Sequence, residues 1–186
     1  MQMIIISGPP GSGKTALRER VARHYALPVL GKDDFKEVLF DGLGWSDRAW
    51  SKKVGAVSYD LLRLMIRELC KTGRPFIVES NFTARFAASM AEIADQYSYQ
   101  PLVVHCVAEG PVLFARFRER AQAGARHPGH QDHENLPEFE AMLNAGAVDP
   151  PLLGAPCLTV DTTDFARVSD TAIFAFLDEY LVPQAE

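Results

Sequence analysis

The run Gly8-Pro9-Pro10-Gly11-Ser12-Gly13-Lys14-Thr15 has the residue types and spacing needed to hold a chain of phosphates. It fits the pattern GxxxxGK(S/T), in which glycines let successive backbone N–H groups converge on anionic oxygens. Lys14 then reaches the outer phosphates, and the Thr15 hydroxyl is the group that coordinates Mg²⁺ in such a loop. All eight residues, Gly8, Pro9, Pro10, Gly11, Ser12, Gly13, Lys14 and Thr15, are therefore expected nucleotide contacts, with ATP and Mg²⁺ as the expected ligands. Pro9 and Pro10 stiffen the loop and lower the ordering cost of binding.

A phosphate loop alone does not separate kinases from ATPases and GTPases, so other residues must decide. Lys32-Asp33-Asp34-Phe35-Lys36 follows a short apolar run. A carboxylate at the end of a strand there can take a proton from an attacking hydroxyl or orient Mg²⁺, and Lys36 can hold an anionic substrate group. The same residues also suit a plain helix start with Asp33 or Asp34 as cap. Phe76 to Asn81 is a second apolar run ending in polar groups. Glu79 sits where an acid would hold Mg²⁺ through water or touch substrate, with Asn81 beside it; alternatively Ser80 and Asn81 cap the next helix.

Arg116, Arg118 and Arg120 run on toward Arg126 and His127. Arg116 and Arg120 are four apart, so they share a helix face and can bring two guanidinium groups to a transferring phosphoryl. A solvated face paired with Glu119 is the plainer alternative. His127, His130 and His133 lack the cysteine or carboxylate partners of a familiar zinc spacing. Trp45, Trp50 and Tyr59 can stack on a ligand ring or pack in the core.

These residues need elements to position them. Met3 to Ser7 is an Ile-rich run ended by Gly8, as a buried parallel strand should be. Helical spacing follows from Gly13 to Tyr25. Leu27 to Leu30 reads as a short strand, Asp33 to Phe40 as a short helix, and Ser46 as the cap of a long helix stopped by Gly73. Strands are expected at Pro75 to Glu79, Leu102 to Val107 and Leu158 to Val160. Helices are expected at Ala84 to Tyr97, Pro111 to Ala123 and Ala166 to Leu181. Gly124 to Pro137 reads as an irregular loop and, with the arginines before it, as a lid over about residues 116–137. This alternation predicts one α/β domain over 1–186, with a parallel sheet of about five strands, helices on both faces and an Arg-rich lid.

The bulk composition agrees. The chain has 186 residues, 47% of them hydrophobic, enough for one continuous core. Its 24 acidic and 19 basic residues give a net charge of -5, so no general field draws it to nucleic acid or anionic membrane. Three widely spaced cysteines, no apolar stretch of membrane-spanning length and no signal-like start point to the cytoplasm.

The phosphate loop, the Lys32 to Lys36 run and the arginine helix together resemble the P-loop kinases typified by the 5′-hydroxyl polynucleotide kinase domain. Chloramphenicol phosphotransferase, zeta toxin and gluconate kinase are more distant relatives, and the likeness spans nearly the whole chain. It implies that Asp33 rather than Asp34 is the general base, that Lys36 holds an acceptor phosphate, and that Arg116 and Arg120 are lid arginines clamping the donor phosphates. It also implies that Val160-Asp161-Thr162-Thr163 flanks the adenine. Lys36 replaces the arginine of those kinases, which weakens bidentate recognition. Glu79-Ser80-Asn81 replaces their Asp-Thr-Asn or Asp-Asn-Asn. The expected activity is transfer of the ATP γ-phosphoryl to a hydroxyl of a small acceptor such as a nucleoside, sugar or antibiotic, an acidic chain suiting this better than a long nucleic acid. A nucleoside monophosphate kinase and an ATP-binding regulatory module are the alternatives.

Overall fold

A computed structural model describes residues 1–146, 149–151 and 154–181 of the chain. Strand β1 (Gln2–Ser7) lies at the centre of a five-stranded parallel sheet in the order β2-β3-β1-β4-β5, with β2 at Val29–Gly31, β3 at Phe76–Ser80, β4 at Gln100–Val107 and β5 at Cys157–Asp161. Ser7 is in register with Ser80 on one side and His105 on the other, so the ends of three strands open onto the phosphate loop.

Successive side chains of a strand point to opposite faces. Met3 and Ile5 accordingly join one core with Leu62, Ile66, Phe86 and Met90, carried by helices α3 (Arg48–Cys70) and α4 (Ala84–Tyr97). Ile4 and Ile6 join the other with Leu17, Val21, Ile173 and Leu177, carried by α1 (Lys14–Tyr25) and α7 (Asp170–Asp178). All four β1 residues are fully buried, each contributing about 1.5–3 kcal/mol of transfer free energy. The three-layer α/β architecture expected from the sequence is thus present. No helix among the described residues is long and apolar enough to cross a membrane.

The remaining helices are α2 (Lys32–Leu43), α5 (Gly110–Gln122) and α6 (Leu136–Asn144). Several expected boundaries are corrected. The long helix is capped by Asp47, whose carboxylate accepts from the Trp50 N–H at 2.8 Å, and not by Ser46. The last helix begins only at Asp170, capped by Ser169, because Phe165–Arg167 form a separate 3₁₀ turn capped by Asp164. The stretch Gly124 to Pro137 is not wholly irregular. It contains a 3₁₀ turn at Pro128–His130 and runs into α6, where Pro137 occupies the first turn and needs no N–H partner. Cys70 and Cys106 are buried free thiols, and Cys157 is an exposed one.

Candidate active site

The phosphate loop joins β1 to α1 by a backbone that demands glycine where it passes α5. Gly11 has φ +84°, and a Cβ there would lie 2.6 Å from the Leu113 carbonyl oxygen of α5. Gly11→Ala is therefore expected to cost about 1–3 kcal/mol and to weaken ATP binding about tenfold or more. Thermal unfolding and a nucleotide titration check it, and an unchanged Tm with unchanged affinity contradicts it. Gly13, also left-handed, is the N-cap of α1 and leaves its first turn without a side-chain cap. The positive end of the helix thus faces the loop free to meet an anion. Ser12 Oγ is buried there without a hydrogen-bond partner. Uncapped helix and orphaned hydroxyl together fit an incoming phosphate chain.

Lys14 is buried at the first position of α1, with Nζ 3.3 Å from the Pro9 carbonyl and 4.0 Å from Glu79. Burial lowers its pKa, and Glu79 works against that fall. Thr15 is exposed on the first turn of α1, at the sequence position where its hydroxyl would hold Mg²⁺.

Arg18, which the sequence reading did not single out, organises the acidic residues. It is buried one helical turn after Lys14 and donates to Glu79 at 3.1 Å and, through two nitrogens, to Asp34 at 2.9 and 3.1 Å. Asp34 is thereby committed to a bidentate pair. Neither Asp33 nor Asp34 caps α2, whose N-cap is Gly31. Glu79, at the end of β3, stands between Arg18 and Lys14, and burial pushes its pKa up against both cations.

Asp33 faces the other way, into the cleft. Lys32 Nζ is 3.0 Å from its carboxylate and Arg126 is 2.5 Å away. Burial alone would raise its pKa, but Arg126, Lys32, His130 and Lys14 outweigh that and hold it well below the usual carboxylate range. Lys36 is buried, donates to Ser51 Oγ at 2.9 Å, and is drawn down to about 8 by burial first and by Lys32 second. Tyr59 donates to the Asn81 carbonyl at 2.7 Å and places its ring under Lys32, tying the end of β3 to this cluster. Asn81 itself is exposed.

The lid crosses over α2. Asp33, Glu37 and Asp41 recur at four-residue spacing and so line one face of that helix. Arg126 meets Asp33, His130 meets Glu37 at 2.9 Å, and His127 meets Asp41 at 3.2 Å. Asp132 holds Arg126 at 3.0 Å and Arg120 at 3.4 Å. Gly129 has no side chain because a Cβ would lie 2.6 Å from the Phe40 ring. His127 and His130 thus fasten the lid, and no group of metal-ligating side chains occurs among the described residues. Trp45 packs against His127.

Arg116 and Arg120 lie on one face of α5 but have different surroundings. Arg116 donates to the carbonyls of Thr163 at 3.0 Å and Gly11 at 3.5 Å, fixing the turn after β5 against the phosphate loop. Thr162 is buried and binds the Ser12 carbonyl at 2.8 Å, completing that seam. Arg120 faces the lid, its Nε buried without a partner. A hollow of about 890 Å³ around Tyr25, Leu69 and Phe76 lies at the opposite end of the sheet. The chemistry-bearing side chains are all at the C-terminal edge, where open α/β sheets bind ligands.

The comparisons with known proteins fit this geometry. A family model described as an AAA domain matches residues 3–144. No curated protein matches the sequence. A crystal structure from Chloroflexus aurantiacus J-10-fl, named provisionally as a kinase, is 38% identical with a TM-score of 0.87 over 97% of this chain and 98% of that one. A sugar kinase from Janibacter sp. HTCC2649 shares the fold at 14% identity, with a TM-score of 0.55 over 96% of this chain and 95% of that one. A gluconokinase from Sinorhizobium meliloti 1021 does so at 15% identity, with a TM-score of 0.53 over 96% and 92%. The chain belongs to the AAA domain family and has the build of a small P-loop kinase.

Proposed function

We propose that the protein transfers the γ-phosphoryl group of Mg-ATP to a hydroxyl of a small-molecule acceptor. The observation that carries this reading is the division of labour between two adjacent carboxylates. Asp34 is consumed by Arg18, while Asp33 faces the cleft beside Lys14, Lys32 and Arg126. A carboxylate in that position serves an acceptor that must lose a proton, which a hydroxyl must and a phosphate need not.

The residues Gly8 to Thr15 bind the phosphates of ATP, and Thr15 with Glu79 are the groups suited to hold Mg²⁺ directly or through water. The ion, when bound, neutralises charge on the phosphate oxygens. The acceptor oxygen forms a bond to the γ-phosphorus, the bond from that phosphorus to the β,γ-bridging oxygen breaks, ADP leaves, and Asp33 takes the hydroxyl proton. Lys14 and Arg120 stabilise the charge spread over the transferring group, and Arg116 holds the donor side of the loop. Lys36 and Asn81 face the acceptor.

Asp33 cannot act as a base while Arg126 sits on it. A γ-phosphate is a stronger partner for Arg126 than a half-exposed carboxylate, because it offers three terminal oxygens and a higher negative charge against the two oxygens and single charge of Asp33. ATP binding then releases Asp33 and raises its proton affinity at the moment it is needed.

Incubation with γ-labelled ATP tests the proposal. Label is expected in hydroxyl-bearing small molecules and not in nucleoside diphosphates made from added monophosphates. Label entering monophosphates with an Asp33→Asn variant at full rate would favour a nucleotide kinase. Tight ATP binding with no labelled product across a broad acceptor set would favour a regulatory module.

A further inference from the structure

Helix α3 carries an apolar stripe that the fold leaves uncovered. Its inner face is buried through Val54, Ser58, Leu62 and Ile66. Val57, Leu61, Leu64 and Met65 lie outside that face and join none of the hydrophobic clusters among the described residues. Val57 is 47% exposed, Leu64 53% and Met65 37%. Residues three, four and seven positions apart share one side of a helix, so Val57, Leu61 and Leu64 form one seam, continued by Lys53 at one end and Glu68 at the other. On its other sides α3 holds Lys36 through Ser51 and the Asn81 carbonyl through Tyr59, so the seam is turned away from the cleft.

Scattered exposed apolar side chains are ordinary, but a run of them along one helix face marks a contact surface. The charges at its ends say what covers it. Lys53 stands four residues before Val57, and Glu68 stands four residues after Leu64. A two-fold axis that lays a second α3 antiparallel across the first, with Val57 against Leu64, therefore also sets Lys53 against Glu68. It does so twice, because in a two-fold contact residue i meets j and j meets i. Glu68 is held by Lys71 of its own helix and has a second oxygen to offer. Asp60, paired with Arg63, stays on the flank.

We infer that the outer face of α3 is the interface of a homodimer, in which two copies pack this helix antiparallel about an axis beside Leu61. The 23 residues of α3 span about 35 Å, so the contact is small and association is expected in the micromolar range.

Sedimentation velocity over about 1–200 μM protein tests it, with the mass expected to rise from one chain toward two. Leu64→Lys puts two ammonium groups into the apolar centre and is expected to weaken dimerisation about a hundredfold. Lys53→Glu alone faces like charges across both ends and should weaken it at least about fivefold, whereas Lys53→Glu combined with Glu68→Lys should return it to within about twofold of wild type. All three side chains are exposed, so circular dichroism is expected to show every variant folded. A mass of one chain throughout would overturn the inference. So would a dimer indifferent to Leu64→Lys, or one in which the double exchange fails to restore what the single exchange loses. A monomer that floats with phosphatidylcholine vesicles would give the face to a membrane surface and overturn it as well.

Discussion

Replacing Lys14 with methionine is expected to lower kcat for phosphoryl transfer by about 10³-fold or more while leaving the protein folded. Methionine keeps the unbranched stem, so the packing of the first turn of α1 survives. What is lost is the only loop cation placed to follow charge onto the transferring phosphoryl. Lys14 is buried beside Glu79 and Arg18, where the local dielectric is low and a misplaced charge is poorly replaced by water. Glu79 retains Arg18 at 3.1 Å, so the variant does not strand a buried carboxylate. Stopped assays with saturating ATP measure the effect, and circular dichroism checks the fold. A loss below about tenfold would remove Lys14 from the chemical step.

The second large effect is expected from Asp33→Asn, with kcat falling by about 10²–10⁴. The amide has the shape of the carboxylate and cannot accept the hydroxyl proton. It also frees Arg126, whose pair with Asp33 is broken, so ATP affinity should hold or improve. That combination separates a base from a structural residue, because a merely structural loss would weaken nucleotide binding as well. Asp34→Asn, by contrast, should act through Arg18 and Glu79 and disturb stability more than the chemical step. Nucleotide titrations beside steady-state rates give both quantities. Full transfer by Asp33→Asn would show that the acceptor needs no base here.

The strands, the phosphate loop and the alternation of strand and helix were legible because their signals are local. An Ile-rich run, a glycine pattern and a helical period each lie within a dozen residues. The roles of the charged side chains were less legible, because they are decided by partners far along the chain. Arg126 had no evident role in the sequence and meets Asp33 from 93 positions away. The resemblance favours Asp33 over Asp34, but the physical difference between the two lies in Arg18, which claims Asp34 from the neighbouring helix.

Two signals were nevertheless present and went unread. Arg18 follows Lys14 by four residues and therefore shares its helix face, so a second buried cation beside the phosphate loop was foreseeable. Asp33, Glu37 and Asp41 have the same spacing, an acidic stripe on α2 suited to the Arg126, His127 and His130 of the lid. Helix α6 was missed because Pro137 reads as a breaker, although proline is favoured in a first turn. The shift of the long helix cap from Ser46 to Asp47 is a choice between two adjacent capping residues that composition cannot make.

Phosphorus NMR of a mixture of ATP, Mg²⁺, protein and a hydroxyl acceptor tests the central claim most directly. The account predicts a new phosphate monoester resonance growing in step with ADP, present with the wild type and absent with Asp33→Asn. ADP accompanied only by inorganic phosphate, or a new diphosphate resonance from an added nucleoside monophosphate, would contradict it.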